Sequence, residues 1–226
     1  MSPPARRLGE ATAPEYDERR PLLAVPLGSC EQHGPHLPLD TDTRVAVAVA
    51  ERWAATRDDV AVAPPLAYGA SGEHAGFPGT LSIGLDALER VLVELVRSAD
   101  HFRGVVLVNG HGGNAAAIGR AVTKLVREQR AVMAWSPTVP GGDAHAGRTE
   151  TSLVLALAPK LVRTDRAVAG VTTPVAELWL AISEGGVAAV SPSGVLGDPT
   201  GASAREGEHL LELLVADLER SVEAWL

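Results

Sequence analysis

Short apolar runs alternate with helix-patterned segments along this chain, and this alternation restricts the fold more than any other feature of the sequence. Residues 22–27, 60–63, 105–108 and 131–135 are apolar runs of four to six residues, the length of a buried strand. Residues 43–56, 85–101 and 115–129 carry apolar side chains at helical spacing between these runs. Strands that alternate with helices form a mainly parallel sheet with helices on both faces, so the sequence predicts an α/β fold of this kind.

The rest of the chain fits one domain with a short lead-in. Further helices are predicted at 150–157, 174–183 and 205–225, and loops at 68–80, 140–149 and 192–204. Because the sequence has no interdomain linker, we predict a single domain over residues 21–226. Residues 1–20 are polar and charged, contain prolines and lack an apolar signal-peptide core, so they are predicted to be a weakly ordered lead-in.

Charge and cysteine content argue against several classes of protein. The net charge of −8 opposes binding to nucleic acid, which normally requires a basic face. One cysteine among 226 residues excludes an internal disulfide framework and favours a reducing compartment. No apolar run approaches the length that crosses a membrane. We expect a cytoplasmic protein that binds neither nucleic acid nor membranes.

Metal-ligating side chains crowd the loop that follows the first apolar run. Glu31 and His33 are two residues apart, so both side chains leave the same face of an extended backbone. Asp42 follows after a detour that Pro35 and Pro38 stiffen. Loops at the carboxyl ends of parallel strands form the ligand crevice of such sheets. The sequence therefore predicts a divalent metal here, and a surface pair without metal is the alternative.

A glycine-rich segment follows the strand at 105–108 and precedes a helix, with the sequence NGHGGN at 109–114. A side chain at His111 would point into the same crevice. The uncovered amides of Gly112 and Gly113 could bind an anion or an oxyanion at the helix N-terminus. The alternative is a structural turn that carries an incidental histidine.

His145 and Glu150 form a third candidate pair, across a loop and the start of the next predicted helix. Thr149 could cap this helix, which would place Glu150 in its first turn with a fixed direction. The alternative is that Glu150 only complements the helix dipole.

Five of these side chains make a consistent metal set: Glu31, His33, Asp42, His111 and Glu150. Two imidazoles and three carboxylates suit two divalent ions, namely zinc, iron(II) or manganese. Two such ions carry +4 against −3 from the carboxylates, and the remaining charge of about +1 would hold hydroxide and lower the pKa of bound water towards ~7. This charge balance indicates a hydrolytic centre and not a purely structural one.

The other histidines and the cysteine have less defined roles. His74, beside Glu73, could contact substrate or pin its glycine-rich loop, and both interpretations stay open. His36 is expected to hydrogen-bond within the proline loop and not to bind metal. Cys30 is expected to be a buried inert thiol, with a Cys–His nucleophile as the less favoured alternative. Two histidines in predicted helical segments are assigned no catalytic role: His101 and His209.

Several motifs, in this order along the chain, resemble the signature of the creatininase family. They lie at 31–39 with Asp42, 77–80, 109–114, 145–147 with 150–152, and 197–199. The resemblance covers nearly everything from Leu22 onward. It implies an α/β/α sandwich with a two-metal hydrolytic centre that cleaves amide bonds, and because many members are hexamers, it also implies a homo-oligomer.

The family's metal ligands carry over position by position. Glu31, Asp42 and His111 would hold one metal. His33, Asp42 and Glu150 would hold the other, so that Asp42 and a water or hydroxide bridge the two ions.

One matching position and one departure refine the expected activity. His145 matches the family's proton-shuttling histidine. Creatininase itself has a glutamate ligand where this chain has Gly113, which argues against creatinine as the substrate and leaves Glu150 as the replacement ligand. The paired glycines and residues 143–152 look most like the mycofactocin-system branch, a peptidase that trims a modified precursor peptide near its C-terminus. The alternatives are an amidohydrolase acting on a cyclic amide or formamide, and a non-catalytic metal-binding protein.

Overall fold

Five parallel strands form one sheet in the computed structural model, which describes residues 6–16 and 20–226. The strands, listed along the chain, are β1 (Arg6–Arg7), β2 (Leu22–Leu27), β3 (Val60–Val62), β4 (Gly104–Asn109) and β5 (Val132–Trp135). Their order across the sheet is β1-β3-β2-β4-β5, so β2 lies at the centre between β3 and β4. The four apolar runs found in the sequence all form strands, with ends that differ by at most one residue.

Helices cover both faces of the sheet. In chain order they are α1 (Thr41–Ala55), α2 (Leu85–Arg97), α3 (Ala115–Arg127), α4 (Arg148–Leu157), α5 (Val175–Gly185) and α6 (Ala204–Trp225). Leu22 and Ala24 of β2 pack with α1, α4 and α6 on one face. Leu23 and Val25 pack with α2 and α3 on the other face. This alternation along one strand produces two buried cores, and the predicted α/β/α sandwich is confirmed.

The structure corrects one helix boundary. The segment predicted as a helix over 85–101 ends at Arg97, with Ser98 as the C-cap residue, and His101 lies in the following turn. The chain must reverse there because β4 starts at Gly104. The helical context predicted for His101 is therefore wrong, whereas His209 lies in α6 as expected. Among the described residues, none of the helices is both long and apolar enough to cross a membrane.

Part of the lead-in joins the sheet. Arg6 and Arg7 pair in parallel with Ala61 and Val62 of β3, and the Arg7 guanidinium binds Glu51 of α1. Residues 1–5 and 17–19 of the lead-in lie outside the described residues. The division into a weakly ordered lead-in and a domain over 21–226 stays a prediction.

Candidate metal centre

The carboxyl ends of β2 and β4 lie side by side, because Leu27 pairs with Asn109. Glycines at both ends let α1 approach the sheet closely. A Cβ at Gly28 would lie 2.1 Å from Thr43 Oγ1, and a Cβ at Gly110 would lie 2.4 Å from the Asp42 carbonyl oxygen. These two glycines therefore allow the first turn of α1 to sit directly over the strand ends, where Asp42 enters the crevice.

The Asp42 carboxylate lies at the middle of the cluster. Its Oδ1 is 2.9 Å from His33 Nε2, and its Oδ2 is 3.1 Å from His111 Nδ1. The Ser29 hydroxyl donates to Oδ2 at 2.7 Å and fixes the orientation of the carboxylate. One buried carboxylate thus presents an oxygen to each of two imidazoles from different loops.

The hydrogen bonds of His33 and His111 leave one nitrogen of each ring free for a metal. His33 Nδ1 lies 3.1 Å from the backbone carbonyl oxygen of Glu31, and His111 Nε2 lies 3.1 Å from that of Ala70. Since a carbonyl oxygen only accepts, these two nitrogens carry the proton in a neutral ring. His33 Nε2 and His111 Nδ1, the nitrogens beside Asp42, are then bare. Metal-ligating histidines typically donate their second N–H to a carbonyl in this way.

Glu31 adds a buried carboxylate that the surrounding protein does not satisfy. The side chain is fully buried, and neither carboxylate oxygen accepts a hydrogen bond from any residue that the structure describes. Its Oε2 lies 3.2 Å from His111 Nε2. An ionised carboxylate without partners is costly to bury, and a bound cation would remove that cost. The donor set and this orphaned carboxylate both fit a metal.

Three sets of side chains bring potential ligand atoms within 4.8 Å of one another. They are Glu31 with Asp42 and His111, His33 with Asp42 and Glu150, and Glu31 with His33 and His145. The first two sets share Asp42 and coincide with the ligand sets that the family resemblance implies. The structure therefore brings all five predicted ligands together, and their role as metal ligands stays a prediction.

Burial and neighbouring charges shift the pKa values across this cluster. Burial lowers the pKa of His33, but the carboxylates of Asp42, Glu150 and Glu31 outweigh it and raise that pKa to about 10. Burial raises the pKa of Glu150 to about 7. Without a bound cation, the protein therefore favours a protonated His33, and a metal must displace that proton.

His145 lies against the same cluster but is held differently. Its ring centroid is 4.3 Å from that of His33, and its Nδ1 is 3.9 Å from Glu31 Oε1. Burial, followed by the nearby charge of His33, lowers the pKa of His145 to about 3. Without a bound metal this imidazole is therefore uncharged at neutral pH.

His74 borders the centre as well. It is buried, its Nδ1 lies 2.8 Å from the Gln32 side-chain nitrogen, and its Nε2 lies 3.5 Å from Glu31 Oε1. Burial lowers its pKa to about 4. These contacts place His74 beside a predicted metal ligand, and its predicted roles of contacting substrate or pinning its loop both stay predictions.

Gly113 is packed against a carboxylate that the sequence analysis did not connect with this centre. A Cβ at position 113 would lie 2.3 Å from Glu73 Oε1 and 2.4 Å from the Ala70 carbonyl oxygen. Glu73 Oε1 is also 3.7 Å from His111 Nε2. The Glu73 carboxylate thus lies where a side chain at position 113 would begin. The departure from the creatininase glutamate at this position was the one signal in the sequence that could have drawn attention to Glu73.

The two neighbouring glycines allow a matched test of this packing. Gly113→Ala should lower the free energy of unfolding by about 1–3 kcal/mol, the usual cost of overpacking a filled site. Gly112→Ala should change it by less than about 0.5 kcal/mol, because nothing lies within 4 Å of a Cβ there. Urea titrations of both variants provide the measurement. Equal stabilities for the two would contradict the close approach at Gly113.

The capping of α4 differs from the prediction. The helix begins at Arg148 with Gly147 as the N-cap residue, so Thr149 lies within the first turn and the predicted Thr149 cap is wrong. Asp143 supplies the cap instead, because its Oδ1 accepts from the Thr149 amide and hydroxyl, both at 3.0 Å. The carboxylate reaches this position from the preceding loop, a contact that helix propensities do not reveal. Glu150 lies in the first turn as expected.

Ala146, between His145 and the helix, adopts a left-handed backbone conformation with φ of 53°. Its amide donates to Glu150 Oε2, and its methyl group is buried with Leu37 and Val154. The turn at Ala146 therefore fixes the direction of the Glu150 carboxylate.

Two further expectations are corrected. His36 Nε2 lies 2.9 Å from Thr151 Oγ1 of α4, so the predicted hydrogen bond within the proline loop is wrong, because the loop packs against that helix. Cys30 is partly exposed, and its Sγ donates to the Gly79 carbonyl oxygen at 3.7 Å, so the expected burial is also wrong. The backbone of Cys30 pairs with Leu81, which leaves the thiol near the surface.

Comparisons with known proteins agree with this geometry. A family model named Creatininase and described as creatinine amidohydrolase matches residues 8–222. The mycofactocin precursor peptide peptidase of Mycolicibacterium smegmatis is 52% identical over 225 residues, covering 96% of this chain and 91% of that protein. The creatinine amidohydrolase of Pseudomonas putida is 31% identical over 252 residues, covering 95% of each protein. Among solved structures, a creatininase mutant described as Zn-Zn type superposes with a TM-score of 0.81 at 30% identity, covering 96% of this chain and 97% of that one.

Proposed function

Because the chain belongs to the creatininase family, we propose that it is a metal-dependent peptidase that cleaves a modified mycofactocin precursor peptide near its C-terminus. The observation that carries the proposal is the cluster around Asp42, where two ligand sets from four parts of the chain share one carboxylate. The 52% identity to a peptidase with this printed name supports the peptide substrate over a small cyclic amide.

The five residues fit two divalent ions. Glu31, Asp42 and His111 would hold one ion, and His33, Asp42 and Glu150 the other. Zinc, iron(II) and manganese all accept two imidazoles and three carboxylates, and solved relatives are described both as Zn-Zn type and as creatininase Mn. When bound, the ions would activate water and polarise the scissile carbonyl.

The chain's own residues would handle the proton and the developing charge. His145, which lies against His33 and Glu31, would take a proton from the attacking water and pass it to the leaving amine. The backbone amides of Gly112 and Gly113 would donate to the carbonyl oxygen as it gains negative charge. Asp42 would keep the two histidines in place through the contacts already described.

The direct test incubates the zinc-, iron- or manganese-loaded protein with the modified precursor peptide and detects a released C-terminal dipeptide by mass spectrometry. Creatinine and a formamide substrate serve as parallel assays. Turnover of creatinine without peptide cleavage would contradict the proposal and favour the alternative of a small-molecule amidohydrolase, which the Pseudomonas putida relative represents. A metal-loaded protein inert on all three would favour a non-catalytic metal-binding role.

Metal binding should release protons and strengthen as pH rises. His33, with a pKa raised to about 10, carries a proton on both ring nitrogens at pH 7 without a metal, and the pKa of His111 is raised in the same direction. Burial opposes charge on both rings, but their carboxylate neighbours outweigh it. Calorimetric titration with zinc in buffers of different ionisation enthalpy should therefore give buffer-dependent heats. Buffer-independent heats at pH 7 would contradict the prediction.

The raised pKa of His33 also determines how the stability of the metal-free protein changes with pH. Because the folded pKa of His33 lies above the ordinary value of 6.5, its contribution is complete below that value and is lost as pH rises through about 10. The chelated protein should therefore become less stable between pH 7 and pH 10, in thermal melts recorded across that range.

Assembly and location complete the proposal. The homo-oligomer, given as a hexamer by the family resemblance, is testable by light scattering. A cytoplasmic location is supported by the single cysteine and is testable by cell fractionation.

A further inference from the structure

Gln32 lies between two predicted metal ligands in sequence, but its own groups contact two other histidines. Its backbone carbonyl oxygen is 2.8 Å from His145 Nε2. Its side-chain nitrogen is 2.8 Å from His74 Nδ1, 3.0 Å from His145 Nε2 and 3.1 Å from the Gly194 carbonyl oxygen. The residue is buried, so water does not satisfy these groups in place of the protein.

The orientation of the Gln32 amide follows from two backbone groups. Gln32 Oε1 accepts from the Gly34 amide at 2.8 Å, and the side-chain nitrogen donates to the Gly194 carbonyl oxygen. Exchanging the oxygen and nitrogen would place two donors together at Gly34 and two acceptors together at Gly194. The amide orientation is therefore fixed by groups whose donor or acceptor character does not change.

The backbone carbonyl then determines which nitrogen of His145 carries the proton. A carbonyl oxygen at 2.8 Å requires a donor, so His145 Nε2 is protonated and Nδ1 is bare in the neutral ring. The opposite tautomer would place two lone pairs against each other and leave the Gln32 carbonyl without this donor.

The side-chain amide determines the tautomer of His74. Because His145 Nε2 is already a donor, the two Gln32 amide hydrogens go to the Gly194 carbonyl oxygen and to His74 Nδ1. His74 Nδ1 is then an acceptor, and its proton lies on Nε2, which is 3.5 Å from Glu31 Oε1. Glu31 is the buried carboxylate that accepts no hydrogen bond from the described residues, so the His74 N–H faces an oxygen that has no other hydrogen-bond donor.

We propose that Gln32 is a positioning residue that sets the tautomers of two histidines at the centre. Its carbonyl makes Nδ1 the proton-accepting atom of His145, and its amide turns the N–H of His74 towards Glu31. The catalytic meaning of the first assignment rests on the proposed function. As the water oxygen bonds to the scissile carbonyl carbon, its proton passes to His145 Nδ1. That proton then moves to the amine nitrogen as the C–N bond breaks, and His145 returns to neutrality.

The test is the nitrogen spectrum of the zinc-loaded protein with ¹⁵N-labelled histidine, recorded without substrate. Long-range proton–nitrogen correlations distinguish a protonated ring nitrogen from a bare one, and His145→Ala and His74→Ala spectra assign two of the seven histidines. We expect a bare Nδ1 and a protonated Nε2 for both rings. A proton on Nδ1 of either neutral ring would overturn the proposal, whatever the substrate of the enzyme.

A substitution separates the two roles of Gln32. Gln32→Glu keeps the backbone carbonyl but replaces the amide donor with an acceptor, so His74 Nδ1 should gain a proton while His145 keeps its proton on Nε2. Metal affinity or turnover should fall about 10–100-fold, as for other groups that support metal ligands. Gln129→Glu, the same change at an exposed position, is the matched control. An unchanged His74 spectrum in Gln32→Glu would contradict the role of the amide, and the wild-type spectrum tests the assignments even if this variant does not fold.

Discussion

Replacing Asp42 with asparagine is expected to remove metal from the centre and to lower kcat/KM for the precursor peptide about a thousandfold or more. Asp42 alone belongs to both predicted ligand sets, and its two oxygens face His33 Nε2 and His111 Nδ1. A metal ion contributes several kcal/mol to the transition state, and each 1.36 kcal/mol is a factor of ten, so losing both ions gives at least this factor.

Asp40 offers the matched control for this substitution. It lies two residues earlier, is about half exposed and pairs with Arg44 at 2.7 Å outside the centre. Asp40→Asn should keep the metal content and activity of the wild type. Metal analysis after gel filtration gives the first readout and peptide cleavage the second. An Asp42→Asn protein that retains both ions would disprove the shared-carboxylate arrangement.

His145→Ala is expected to lower turnover about 10²–10⁴-fold, the usual contribution of a positioned general acid or base. Metal content should stay near that of the wild type, because the two ligand sets built on Asp42 do not include His145. His145 does belong to the third set, with Glu31 and His33, so a loss of metal in His145→Ala is the alternative outcome. A parallel loss of metal and activity would assign His145 as a ligand and remove it from proton transfer.

The control for His145 is His209, an exposed histidine on α6. His209→Ala should leave turnover and metal content unchanged.

Substrates with activated leaving groups test which step His145 assists. If His145 protonates the leaving amine, a p-nitroanilide analogue should lose less activity in His145→Ala than the natural amide does, since its leaving group depends less on a proton.

The sequence was sufficient to predict the sandwich and the convergence of the five candidate ligands. Apolar runs such as 22–27 and 105–108 are buried on both faces of a parallel sheet, so their composition alone identifies them as strands. Parallel strands also place their carboxyl ends at one edge, which brings the loops after β2 and β4 together. The positions of Asp42 and His111 follow from that rule.

Several of the errors and omissions share a physical cause, since they depend on a contact between distant parts of the chain. His36 bonds Thr151, which is 115 residues away, and Gln32 contacts His145 across 113 residues. The Glu73 carboxylate takes the space at Gly113 through the packing of two loops. Local patterns identify the elements, with errors at the end of α2 and at the cap of α4, but they do not specify which buried polar groups meet.

The left-handed turn at Ala146 couples His145, the proposed proton-transfer residue, to Glu150, the last of the predicted ligands. His145 directly precedes Ala146, and the Glu150 carboxylate is tied to the Ala146 amide. A non-glycine residue in this conformation costs about 1–2 kcal/mol, which the burial of its methyl group helps to offset. Relaxation of this single backbone angle would displace the acid–base group and the carboxylate in one movement. His145 and Glu150 should therefore become ordered or disordered together. Metal binding by Glu150 and proton transfer by His145 would then be gained or lost together.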